Sequence, residues 1–212
     1  ELTPFTTPDN EILLYTSNQK YDRTFFVYTN DVYQSNISNG IFKKGKAVSQ
    51  VNSVDDEFMA GVSLSNERIF VQLQGYEGYQ DLIYSERNGS GFRNKFGLND
   101  KINSKEAEFA ATETVNSDTL FFSSMRDGGF GGLDIYSSTQ EGEEWGTPVN
   151  LGAPINSSYD DFGICYVNDT KGFLFRLKPY YQKAIHPFQR CQVLLPYYIT
   201  KWTIFSGAVF IC

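Results

Sequence analysis

Histidine is nearly absent: His186 is the only one in 212 residues. A Ser-His-Asp or Cys-His mechanism needs a positioned base, so any such chemistry would rest wholly on that residue. Cysteine is almost as scarce. Cys165, Cys191 and Cys212 contain no Cys-x-x-Cys spacing and have no zinc-site histidine company, and an odd count excludes a fully paired disulfide framework. Cys165 falls in an expected inner strand, where a buried thiol is ordinary. Basic residues are too few for a nucleic-acid surface: 18 Lys and Arg against 25 Asp and Glu leave a formal charge of -7. Val193 to Cys212 is the longest apolar stretch, but Pro196 and Lys201 interrupt it, so no transmembrane span is expected. The chain opens at Glu1 with neither an initiator Met nor a charged-then-apolar leader, so either a leader was removed or the chain is an excerpt.

Aromatics and glycine are abundant. They make up 16% of the residues and 18 positions respectively, while Met occurs twice, a balance that favours strands and turns over helices. The acids are unevenly spread. Residues 1 to 170 carry all of them, for a net charge of -13, whereas 171 to 212 carry six basic residues and no acid. The last forty residues are compositionally a different object.

Three landmarks recur in fixed order. An acid followed by Phe occurs at Glu57-Phe58, Glu108-Phe109 and Asp161-Phe162; an Asn-Ser pair precedes each, at Asn52-Ser53, Asn103-Ser104 and Asn156-Ser157. An Asp followed by apolar residues and Tyr occurs at Asp31-Val32-Tyr33, Asp81-Leu82-Ile83-Tyr84 and Asp134-Ile135-Tyr136. The interval is about 52 residues, the length of one four-stranded propeller blade. In the cleanest copy the inner strand starts at Phe109, and Thr119 to Ser124 is the second strand. Leu133 to Ser138 is the third and Trp145 to Leu151 the outermost. Asp127-Gly128-Gly129-Phe130-Gly131-Gly132 joins the second strand to the third, with glycines for positive φ.

The expected fold is therefore all-β: a partial β-propeller of about three four-stranded antiparallel blades plus the start of a fourth. Blades run about 10–57, with an insertion at Tyr21 to Asn30, then 58–108 and 109–161; an incomplete fourth starts at 162 within a repeat region 1–170. Residues 171–212 form an atypical tail, a shifted reading frame or truncated blade on one reading and a divergent closing segment on the other. Propellers close a ring with four or more blades, so the chain is expected to be a piece of a longer protein.

The run Phe122 to Tyr136, continued by Trp145-Gly146-Thr147-Pro148-Val149-Asn150-Leu151-Gly152 and Pro154-Ile155-Asn156-Ser157, resembles the WD-like propeller repeats of the TolB type. In particular it is similar to the version fused to peptidoglycan-binding OmpA-like domains in envelope proteins of the Bacteroidetes. The resemblance is specific over about forty residues of the third copy and weaker over the first two. It implies a place in the periplasm or at the outer membrane and a role as a protein-interaction platform. The chain itself carries no OmpA-like domain.

Most singled-out residues read as structural. Asp31, Asp81 and Asp134 are expected to accept backbone amides at a strand entrance. Phe58, Phe109 and Phe162 are read as wedges between blades, as are Trp145 and its counterparts Phe42 and Phe92; an exposed ring among them would offer a stacking surface for sugar. Gly128 and Gly129 belong to a hairpin and not to a phosphate cradle, because a strand follows and not a helix. The acidic pairs recur at one phase, which points to strand-end capping or a solvated rim and away from a catalytic dyad or a calcium site. No cofactor or metal is expected. The leading functional reading is a non-catalytic module binding a protein or glycan partner. The alternatives are a sialidase-like propeller glycosidase, for which Ser138 to Trp145 has Asp-box spacing with Gln140 in place of Asp, and the propeller domain of a peptidase.

Overall fold

A computed structural model describes residues 2–19, 21–22, 27–75, 78, 80–168, 171–177, 197–200 and 203–206. Sheet I contains β1 (Leu2–Thr6), β2 (Ile12–Ser17), β5 (Asp31–Ser38), β6 (Ile41–Phe42) and β7 (Lys46–Ala47); the short hairpin β3 (Tyr21–Asp22) and β4 (Val27–Tyr28) lies in the connection between β2 and β5. Sheet I thus opens ahead of Asn10. Sheet II contains β8 (Asp56–Val62), β9 (Arg68–Gln74), β10 (Gln80–Asn88), β11 (Gly91–Phe92) and β12 (Phe96–Gly97). Sheet III contains β13 (Glu108–Glu113), β14 (Thr119–Ser124), β15 (Asp134–Glu141), β16 (Glu144–Trp145) and β17 (Val149–Asn150). Two antiparallel pairs follow, β18 (Asp160–Asn168) with β19 (Lys171–Leu177) and β20 (Tyr197–Thr200) with β21 (Thr203–Ser206).

The outermost position of each full sheet is not one continuous strand. In sheet III, Trp145 pairs with Gln140 and Val149 pairs with Ser137, with Pro148 between the two short segments. The same three-residue break falls at 43–45 in sheet I and 93–95 in sheet II, so Pro148, which lacks the N–H that a ladder needs, occupies a gap common to all three sheets.

Inner strands adjoin in chain order: β1 lies beside β8, β8 beside β13, and β13 beside β18. Sheets fan outward from that inner line, as blades of a propeller do. Alternation along the strands gives each sheet two apolar faces. Ile12, Leu14, Val32, Val48 and Val51 of sheet I pack on Met59, Ile69, Val71, Ile83 and Phe92 of sheet II. The other face of sheet II, with Phe70, Leu82, Leu98 and Ile102, packs on Leu120, Phe122, Tyr136 and Trp145 of sheet III. The landmark period is thus the period of the sheets.

Two expectations need correction. The acids before each Phe form no solvated rim: Glu57, Glu108 and Asp161 are fully buried. Each accepts a hydrogen bond from the serine of the preceding Asn-Ser pair, Ser53, Ser104 (2.6 Å) and Ser157 (2.9 Å) respectively. Buried carboxylates persist where donors meet them. Phe42 is no wedge either. Its ring is 58% exposed, against 5% for Phe92 and 7% for Trp145, because no described sheet lies in front of sheet I.

His186, Cys191, Cys212 and most of the tail lie outside the described residues, as do parts of the Tyr21 to Asn30 insertion.

Candidate interaction face

Antiparallel order places the loops from second to third strand at the same end of the blades as the connections from one sheet to the next. That end is the connection face. On it the Asn-Ser pairs fix the backbone. Asn156 Oδ1 accepts from the Ile135 N–H and Asn156 Nδ2 donates to the Ile135 carbonyl, both at 2.8 Å. Asn103 does the same to Leu82 at 2.9 Å in both directions, and Asn52 to Val32 at 2.8 and 2.9 Å. Each asparagine therefore acts as a surrogate peptide group beside the third strand, while its neighbouring serine holds the next sheet's inner strand. The pair is the clasp that spaces one blade from the next. Its recurrence is plain in the sequence, but the two-point geometry is visible only once the third strand is placed beside it.

The Gly-rich loop of sheet III is tied down at both ends. Asp134 is buried and accepts from the Phe130 N–H, from the Gly131 N–H at 3.2 Å and from Asn150 Nδ2 at 3.0 Å. Gly128 adopts φ +87°, and a side-chain carbon on Gly131 would lie 2.0 Å from the Tyr159 carbonyl oxygen. Glycine is thus required first by conformation and then by contact. Leu133 N–H donates to Asp160 Oδ1 at 3.1 Å, which locks the loop to the next connection.

Arg126, not singled out from the sequence, is a second anchor. Its guanidinium lies 5.0 Å from the ring centroids of both Phe122 and Tyr136, and it donates to the Ile102 carbonyl at 2.7 Å and to Glu108 Oε1 at 3.3 Å. Stacking and fork geometry are specific to arginine. Isolated in its copy, it gave no repeat signal.

The other repeat residues differ among themselves. Asp31 is fully buried, whereas Asp81 is half-buried, and burial first and the nearby Asp100 second raise its carboxyl above the ordinary range. Phe58, Phe109 and Phe162 are half-buried on the inner strands; the rings of Phe109 and Phe162 meet at 6.0 Å, tilted by 56°.

Exposed apolar side chains gather on the connection face: Tyr28, Val54, Met125, Phe130 and Tyr159. The opposite face, made of the tight turns, presents Val115 from its turns. Its groove of about 460 Å³ is lined by Arg68, Arg87 and Arg93 with Asn66 and Glu86. All three cations have an internal partner: Arg87 pairs with Asp9 and with Glu11 at 2.9 Å, Arg68 with Glu113 at 2.8 Å, and Arg93 with Glu86 at 3.9 Å. Burial opposes ionisation of Asp9, but Thr7, the Glu11 amide, Arg87 and Asn66 together hold its carboxyl well below the usual range. Among the described residues no cluster of three or more His, Cys, Asp or Glu could hold a metal ion, and no helix is long and apolar enough to cross a membrane.

No family model matches the chain, and no curated protein matches it. Solved structures do. The chain is similar to a structure described as TolB from Agrobacterium tumefaciens, with TM-score 0.58 and 9% identity over 81% of this chain and 52% of that one. It is similar to a prolyl endopeptidase, with TM-score 0.50 and 14% identity over 82% of this chain and 22% of that one. It is also similar to a puromycin-hydrolysing peptidase of Mycobacterium tuberculosis, with TM-score 0.50 and 11% identity over 98% of this chain and 29% of that one. The fold is a partial β-propeller. The chain spans about half the length of the TolB structure and less than a third of either peptidase.

Proposed function

We propose that the chain is a non-catalytic binding module of the bacterial cell envelope, in the periplasm or at the outer membrane, whose connection face holds a protein or glycan partner. The observation that carries this reading is the placement of exposed Met125, Phe130 and Tyr159 on backbone that is already fixed by Asp134, Asp160 and Arg126. Aromatic side chains on a rigid scaffold lose little freedom when a partner covers them, so they are suited to anchor a contact. The TolB-type motif from Phe122 to Ser157 supports the envelope location and the kinship with repeat proteins that carry OmpA-like domains.

The test is binding of the purified chain to isolated cell envelopes. Phe130→Ser and Tyr159→Ser should each weaken retention about tenfold, corresponding to about 1.4 kcal/mol. Val115→Ser, on the turn face, should bind as the wild type does. Turnover of glycoside or peptide substrates by the same preparation would replace this reading with an enzymatic one.

A further inference from the structure

The outer edge of sheet I carries positive charge that the chain leaves unanswered. Among the described residues of sheets I to III and their connections, Lys43, Lys44 and Lys46 form no ion pair, while every other lysine and arginine has a carboxylate no more than 3.9 Å away. No Asp or Glu occurs between residues 32 and 54, in a repeat region that is otherwise strongly acidic. The backbone beneath the lysines is fixed. Ser35 Oγ donates to the Lys43 carbonyl, the Lys43 N–H donates to the Asn36 carbonyl at 2.9 Å, and Lys46 pairs with Gln34 in the ladder.

All three lysines are exposed, and a sheet in front of sheet I would not cover them. Lys46 holds the place of Phe96 and Val149, Lys44 that of Asn94 and Thr147, and Lys43 that of Arg93. Those residues are exposed although sheets II and III each have another sheet packed in front. Ile41, 63% exposed, holds the place of Glu144, which is exposed as well. Phe42 belongs to the flank that is covered in the other sheets and takes no part.

Protection of an open sheet edge accounts for a charge at these positions but not for its sign, since sheet III guards the same edge with Glu144 and Pro148. The residue type narrows the partner. An arginine fork reads a planar carboxylate, whereas lysine is a point charge on a flexible stem. Three lysines with no arginine among them respond to the density of negative charge and not to the shape of one anion. Ile41 adds an apolar side chain at the same edge. A layer of anionic headgroups over acyl chains meets both.

We infer that the outer edge of sheet I docks on an anionic lipid surface, with Lys43, Lys44 and Lys46 among the headgroups and Ile41 at the acyl boundary. Docking on its edge leaves the connection face open. The two surfaces share no residue, so either reading can fail alone.

Flotation of the purified chain with vesicles of phosphatidylcholine and phosphatidylglycerol in equal parts, against vesicles of phosphatidylcholine alone, reads the contact. The wild type should float with the anionic vesicles and not with the neutral ones, and added salt should release it. Lys43→Gln combined with Lys44→Gln should weaken binding about tenfold or more, and Ile41→Ser should weaken it as well. Lys101→Gln combined with Lys105→Gln removes the same charge from exposed lysines that have acid partners, and should bind as the wild type does. All of these side chains are exposed, so thermal melts should be unchanged. Inorganic phosphate should release the chain no better than chloride at equal ionic strength. Equal losses in the two double variants, an Ile41→Ser variant that binds undiminished, or release by phosphate ahead of chloride overturns the inference. So does a wild type that ignores anionic vesicles, and its retention on polyglutamate beads would then assign the edge to an acidic protein.

Discussion

Asn156 stands in for a peptide group that the sheet edge lacks, and its side chain is buried while bonded to both the N–H and the carbonyl of Ile135. Asn156→Ala leaves the Ile135 N–H without its partner, while the Ile135 carbonyl keeps the Leu151 N–H at 3.1 Å, and a buried unsatisfied group costs on the order of 1–3 kcal/mol. Urea denaturation should therefore show a loss of about 2 kcal/mol. Burial raises the carboxyls of Glu57 and Glu113, against the opposing pull of Ser53 and Lys95 on the first and of Arg68 on the second. The sign follows from linkage: the folded state holds these protons more tightly than the unfolded chain does. Ionisation therefore costs stability, a cost that is absent below the ordinary glutamate range and complete above the raised folded value. Glu57→Gln should be more stable than the wild type at neutral pH, and the gap in urea midpoint should close as the pH falls through that window. At this scale the sequence revealed which residues recur but not how deep they lie. Glu57 and Glu108 look like surface acids until the serine four residues earlier is seen to turn inward with them.

At the scale of elements, the Gly-rich loop and the outer aromatics divide the positions that matter from those that do not. Gly131→Ala drives a carbon into the Tyr159 carbonyl and should cost about 2–3 kcal/mol, the range of overpacked sites. Gly142→Ala meets open space and pays only for its φ of +68°, about 1 kcal/mol. Thermal melts of the two variants should separate them clearly. Trp145→Ala empties a site buried between sheets II and III and should cost about 3–5 kcal/mol, whereas the same truncation at Phe42 should be nearly silent in the single chain. From the sequence the two aromatics are equivalent. Only the presence of a sheet in front of one and not the other tells them apart, and that is a property of neighbours more than 40 residues away.

Over the whole molecule, the interval between landmarks matches the spacing of the sheets, because blade packing demands that the same side chains return at the same depth, but no landmark announces β1, which lies ahead of Asn10. Phe58, Phe109 and Phe162 do fall on successive inner strands, and Asp31, Asp81 and Asp134 on successive third strands. The interaction face was less legible. Phe130 and Tyr159 share no period, and they come together only because the loop of sheet III lies against the connection that follows it. That juxtaposition is the centre of the functional account. The most direct test is photo-crosslinking in cells, with a photoreactive residue placed in turn at Phe130 and at Val115 of the chain in its native context. The account predicts a discrete adduct with an envelope component from Phe130 and none from Val115. Adducts from Val115 alone, or the same products from both positions, would contradict it.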